Sequence, residues 1–229
     1  MKKHILTLTS LLFAAFGARA AFTIEPAMVM MFADRGEKAT FMELVHTGGG
    51  PAAVQFTVLE RVLDMDGVLV KEGAARSTDF VVHPAEVILF PNERATVQIQ
   101  YRGKGKITAD RAYVLYSQEV PLEMDEEEPG VGMSVKMLTN YYTVIALETG
   151  KPGKPVFVSS KVIDGGKVEV IAENRGTGRV PMDRMSLIIG NKVITDFTGK
   201  SNSIMPGTQR RLTFVWPRAV AANEIKFVY

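Results

Sequence analysis

The chain has 229 residues, with 27 Lys and Arg against 25 Asp and Glu and no cysteine. Without thiols it forms no disulfide and runs no thiol catalysis or zinc–thiolate site. A near-balanced charge argues against an extended phosphate-binding surface, and the length allows two domains of about 100 residues.

The first twenty residues read as an export signal. Lys2 and Lys3 precede a short apolar run over 5–16, and Ala18-Arg19-Ala20 fits a small-x-small cleavage site. The run is shorter than the roughly 20 residues a spanning helix needs. Cleavage after Ala20 removes Lys2, Lys3 and Arg19, so the mature chain carries 24 basic and 25 acidic residues.

Seven strands are expected next. Phe22-Thr23-Ile24-Glu25-Pro26 opens the first, which continues through 28–32; Asp34-Arg35-Gly36-Glu37 turns the chain into 39–45. Gly48-Gly49-Gly50-Pro51 leads into 53–62, where Val54, Phe56 and Val58 share a face. Asp64-Met65-Asp66-Gly67 is a hairpin signal, because Asp-Gly accepts the positive φ of a tight turn. The stretch 81–90 follows, then the turn Pro91-Asn92-Glu93. In 96–101, apolar Val97, Ile99 and Tyr101 alternate with polar Thr96, Gln98 and Gln100, the period of a half-buried antiparallel strand. The last two strands are 110–121 and 133–147.

Glu148-Thr149-Gly150-Lys151-Pro152-Gly153-Lys154-Pro155 reads as a linker, since its Pro and Gly density ends a strand. Beyond it, 156–158, 167–172, 185–190, 192–197, 211–216 and 225–229 are candidate strands of a smaller β-rich unit, with turns at Asp164-Gly165-Gly166 and Gly190-Asn191. The expected class is all-β: two sandwiches, with a signal over 1–20 and domains over 21–149 and 150–229.

Enzyme chemistry finds little support. His46 and His83 lack the spacing that sets two metal ligands on one face, and no G-x-S-x-G elbow is present. Asp64 and Asp66 lack the later acidic ligands of a calcium loop. Arg102, Lys104 and Lys106 sit among turn glycines with no aromatic platform for nucleic acid. No cofactor is called for. In Met133-Ser134-Val135-Lys136-Met137, the apolar residues alternate with polar ones behind the acidic run 125–128. Such an edge strand either packs in its own core or completes another protein's sheet, and its methionines suit a surface that accepts varied partners.

The order of these features resembles the PapD-like periplasmic chaperones of pilus and fimbrial assembly, as a divergent member. It rests on Phe22 to Pro26, Gly36-Glu37-Lys38-Ala39-Thr40, 80–84, 91–101, Asp110-Arg111 with Tyr113, and Glu119-Val120-Pro121. The resemblance implies two immunoglobulin-like sandwiches set in an L, working in the periplasm and not embedded in a membrane. It implies pilus or fimbrial subunits and an outer-membrane usher as partners, and neither an enzyme nor a nucleic-acid binder. Members lend a subunit a strand, G1, whose hydrophobes here correspond to Met133, Val135 and Met137. Where the family grips a subunit's terminal carboxylate with Arg and Lys, this sequence has Met28 and Tyr142, or Asn140 in a register shifted by two. Tyr and Asn supply hydrogen bonds without a fixed charge. The alternative is a non-chaperone surface or periplasmic module for adhesion or scaffolding.

Overall fold

A computed structural model describes residues 21–122, 138–199 and 202–229. The leader, the acidic run and the alternating segment 133–137 lie outside the described residues. No helix among the described residues is long and apolar enough to cross a membrane.

The first unit contains β1 (Phe22–Glu25), β2 (Met28–Phe32), β3 (Ala39–His46), β4 (Ala52–Glu60), β5 (Phe80–His83), β6 (Glu86–Leu89), β7 (Arg94–Tyr101), β8 (Arg111–Val120) and β9 (Asn140–Glu148). Two sheets, ordered β1-β3-β7-β5 and β2-β9-β8-β4-β6, enclose one core. Period-two patterning fills it: Val97, Ile99 and Tyr101 of β7 and Val54, Phe56 and Val58 of β4 all point inward. Tyr113 and Leu115 of β8, beside β4 in the second sheet, add to the same core. Fully burying an aliphatic side chain of this kind stabilises by about 1.5–3 kcal/mol.

Among the described residues, nine strands stand where the sequence suggests seven, because two of the expected strands change sheet midway. The chain passes from β1 to β2 across Glu25-Pro26 and from β5 to β6 across His83-Pro84, both cis. Proline has no N–H for the ladder, so it sits naturally where a strand leaves one sheet for the other. After the first switch, β2 runs parallel to β9, Met28 to Phe32 facing Val144 to Glu148.

The second unit contains β10 (Pro155–Ile163), β11 (Lys167–Asn174), β12 (Val180–Pro181), β13 (Ser186–Ile189), β14 (Lys192–Ile194), β15 (Ser203–Ile204), β16 (Gln209–Val215) and β17 (Ile225–Val228). The sheets β10-β11-β16 and β14-β13-β17 cover a separate core of Val168, Val170, Leu187, Leu212, Phe214 and others. Trp216 packs at its rim. The side chain of Asn174 uses its full bonding capacity, accepting from the N–H groups of Lys154 and Gly176 and donating to the carbonyls of Gly178 and Ile204.

The units meet around Asp110, just before β8. Its Oδ1 accepts from the N–H and the hydroxyl of Thr149, both at 2.7 Å, and its Oδ2 accepts from Arg179 N–H at 2.8 Å. Its own N–H donates to the Thr177 carbonyl at 2.8 Å. A buried donor left without its acceptor costs about 1–3 kcal/mol. Asp110→Ala is therefore expected to lower urea-unfolding stability by about 2 kcal/mol or more. It should also separate the fluorescence transition of Trp216, the chain's single tryptophan, from the far-UV circular dichroism transition. Coincident, unshifted transitions would show that the two units are held by other contacts.

Candidate functional site: a sheet edge and the cleft beside it

Strand β9 is paired along only part of its length. On one side β8 accompanies it from Asn140 to Leu147. On the other, β2 begins only opposite Val144. Among the described residues, 140–143 therefore form a sheet edge. Val144 N–H points toward the β2 side, where it donates to Ala27 O, while the Thr139 carbonyl faces β8 and accepts from Glu119 N–H. Ladder groups alternate along a strand, so Asn140 and Tyr142 present their N–H and C=O to the open edge. Tyr141 and Thr143 face β8. Tyr141 turns its ring inward against Phe22, at 5.2 Å between centroids, and its hydroxyl donates to the Phe22 carbonyl.

The outer face of the same sheet forms the floor of a cleft. Tyr142 packs on Tyr116 at 5.0 Å, and Lys71 Nζ lies 4.5 Å from the Tyr142 ring centroid, within cation–π range. Burial, then the neighbouring Tyr142, pushes the Tyr116 phenol above its ordinary pKa. Lys71 belongs to the long β4–β5 connection, which folds back as a hairpin through the Leu63–Leu69 bridge, with Gly67 at φ 83° in its tip. That tip reaches the second unit. Met65 O accepts from Arg211 N–H at 2.7 Å, Gly67 O accepts from the Asn202 amide at 2.9 Å, and Asp66 takes two bonds from Arg211 Nη1.

Met28 sits at the head of β2 opposite Val144 and lines a small cavity with Arg61, Arg179, Asn202, Ser203 and Met205. Tyr142 and Asn140 lie further along β9, outside that lining. Of the expected cleft residues, the fold thus brings Met28 to the cavity and sets Asn140 and Tyr142 along the open edge. The cations come from elsewhere: Arg61 after β4, Arg111 at the head of β8 and Arg179 before β12 all line the cavity. Arg179 Nε pairs with Glu148 Oε1 at 2.6 Å. Arg111 is held above its ordinary pKa chiefly by a hydrogen bond with Tyr113. The sequence singles out Arg111 only as part of the resemblance and gives no sign of Arg61 or Arg179, because they are scattered along the chain and no motif joins them.

The expected turn residues have structural partners. Asp64 Oδ1 accepts from the N–H groups of Asp66 and Val68, as a tight hairpin requires. His46 is buried in β3 opposite Phe22, and His83 is exposed at the end of β5, so the two histidines do not share a site.

No protein-family model and no curated protein sequence matches the chain. Solved structures do. The chain is similar to the E. coli chaperone DraB, with 14% identity over 85% of this chain and 86% of that one and a TM-score of 0.54. It is also similar to a chain of a chaperone–tip adhesin complex of CFA/I fimbriae biogenesis, with 12% identity, 84% and 85% coverage and a TM-score of 0.55. A third is a chain of the CsuC–CsuE chaperone–tip adhesion subunit complex from the Csu pili of Acinetobacter baumannii, with 16% identity, 84% and 89% coverage and a TM-score of 0.53. The fold is that of the PapD-like fimbrial chaperones. At these identities the shared property is the fold.

The open edge has a direct readout. In hydrogen exchange by NMR, the Tyr142 amide should exchange at least about tenfold faster than those of Tyr141 and Thr143, which the β8 ladder protects. Equal protection of all three would show that another segment already covers the edge.

Proposed function

We propose that this chain is a periplasmic, ATP-independent chaperone that binds pilus or fimbria-like subunits by strand donation and delivers them to an outer-membrane usher. The observation that carries the reading is the open edge of β9 at residues 140–143, directly downstream of the alternating segment Met133-Ser134-Val135-Lys136-Met137. The solved chaperones whose fold the chain shares support it, two of them in complexes with tip subunits.

Continued upstream at a period of two, the strand would set Met133, Val135 and Met137 on the same side as Tyr141, Thr143 and Ile145. These apolar residues would fill the groove of a subunit that lacks its own last strand, while main-chain groups pair across the edge. Asn140 and Tyr142 extend the edge, and Met28 closes its cleft end. In this reading residues 1–20 are a signal peptide, cut between Ala20 and Ala21. Residues 21–149 form the donating domain and 150–229 the smaller one.

Replacing both Val135 and Met137 by Ser should leave the far-UV spectrum and melting temperature unchanged while abolishing subunit capture. Two lost pocket-filling side chains, at roughly 1.5–3 kcal/mol each, weaken binding by two or more orders of magnitude. Co-purification from periplasm with a co-expressed subunit that is unstable alone reads the result. If the double variant melts instead, the two residues belong to the protein's own core. If it captures the subunit normally, donation runs through another segment.

A further inference from the structure

A second cavity, of about 500 Å³, lies at the end of the first unit. The turn after β2, the approach to β3, the loop after β7 and linker residues Thr149 and Lys151 wall it. It shares no lining residue with the cavity beside Met28. Sites that take small molecules commonly enclose roughly 300–1,000 Å³.

Two polar residues of its wall belong to the body of the fold. Tyr101 is 6% exposed, with its ring on Phe80 at 5.3 Å, and Thr149 is 8% exposed. The Thr149 hydroxyl is committed to Asp110. The Tyr101 hydroxyl makes no hydrogen bond among the described residues. It stands against Gly103, where any added Cβ would collide with it. Gly105, at φ 86°, keeps a further stretch of the wall as bare backbone. The two glycines leave space beside a neutral donor that core packing holds in place.

Charges of both signs line this same wall. Lys38, Lys106 and Lys151 bring three ammonium groups, and Asp34 and Glu37 bring two carboxylates. The side chains of Lys38, Lys106 and Asp34 make no hydrogen bond or ion pair among the described residues. Lys151 Nζ donates at 3.3 Å to the carbonyl of Thr108, a neutral group. Glu37 commits one oxygen to Phe32 N–H, at 2.9 Å. A simple anion would be repelled by Asp34 and a simple cation by the lysines, whereas a ligand bearing both signs suits the whole wall. Ammonium groups outnumber carboxylates by one, so the complementary ligand has one more carboxylate than ammonium.

We propose that this cavity binds a free acidic amino acid of the glutamate and aspartate class. Asp34 takes its ammonium, Lys38 and Lys106 take its carboxylates, and the Tyr101 hydroxyl donates a neutral hydrogen bond. The inference rests on the shape and charge of this wall and does not depend on the chaperone reading.

Sodium L-glutamate and sodium L-aspartate titrated into the purified protein test it by calorimetry and thermal unfolding, at constant ionic strength with chloride as the balancing ion. A saturable heat and a melting temperature that rises with ligand concentration are expected for at least one of them. L-Glutamine lacks the second carboxylate and N-acetyl-L-glutamate lacks the ammonium, so each should bind about tenfold more weakly than L-glutamate. Asp34, Lys38 and Lys106 are exposed, so their neutral variants keep the fold. Asp34→Asn should weaken binding of the responding amino acid about tenfold, and Lys38→Gln combined with Lys106→Gln should abolish saturation. Tyr101→Phe keeps the packed ring and should weaken binding a fewfold. No saturable response to either amino acid overturns the site, as does an unchanged midpoint in both charge variants. Binding of L-glutamine or N-acetyl-L-glutamate as tight as that of L-glutamate overturns the acidic amino acid as the ligand.

Discussion

The carboxylate of Asp110 is the point on which the arrangement of this molecule turns. It stands just before β8, accepts from Thr149 immediately after β9, and accepts from Arg179 in the second unit. One buried group therefore closes the end of the first sandwich and seats the second against it. An acceptor of three short bonds fixes direction as well as distance, because each N–H or O–H must point at a lone pair. The cleft owes its shape to that geometry. Met28 arrives through the parallel pairing of β2 with β9, Glu148 ends β9 one residue before Thr149, and Arg179 reaches Glu148 from across the junction.

A second junction lies at the other side of the cleft. The β4–β5 hairpin extends beyond its own sandwich and lays its tip along β16, where Arg210 and Arg211 follow one another. Strand alternation sends them to opposite faces. Arg210 turns inward with Leu212 and Phe214, while Arg211 turns outward to Asp66 and Glu169. Backbone and side-chain bonds from Arg211 and Asn202 hold the tip in place. Through Lys71 over Tyr142, the same hairpin also touches the strand whose edge is open. The edge and the junction of the units are thus physically continuous, and anything that moves the hairpin is felt at both.

The open edge follows from a competition for one strand. β9 has room for a neighbour along its whole outer side, but the first strand pairs with β3 before crossing at Pro26 and reaches β9 only from Val144 onward. Earlier crossing would have covered Asn140 and Tyr142. An uncovered edge invites pairing with other chains, a liability in a protein with no use for it. Here the upstream segment also carries alternating apolar side chains, the pattern on which the proposed strand donation rests.

Much of the fold was legible in the sequence because its causes are local. The alternation of Val97, Ile99 and Tyr101, the inward face of Val54, Phe56 and Val58, and the Asp-Gly turn at 66–67 depend on neighbours a few residues away. The order of these elements was enough to point to the PapD-like architecture. Where strands change sheet was less visible, since Pro26 and Pro84 mark an interruption without saying which sheet comes next. The cleft was hardly legible at all. Arg61 and Asn202 are 141 residues apart, and no spacing rule connects them with Arg179 or Arg210. Alternation and turn chemistry determine which segments become strands and which faces are apolar. The partners of Asp110 and the contact of Arg61 with Asn202 are decided only when long-range packing brings distant loops together, because charge and hydrogen-bond complementarity act through space and leave no period along the chain.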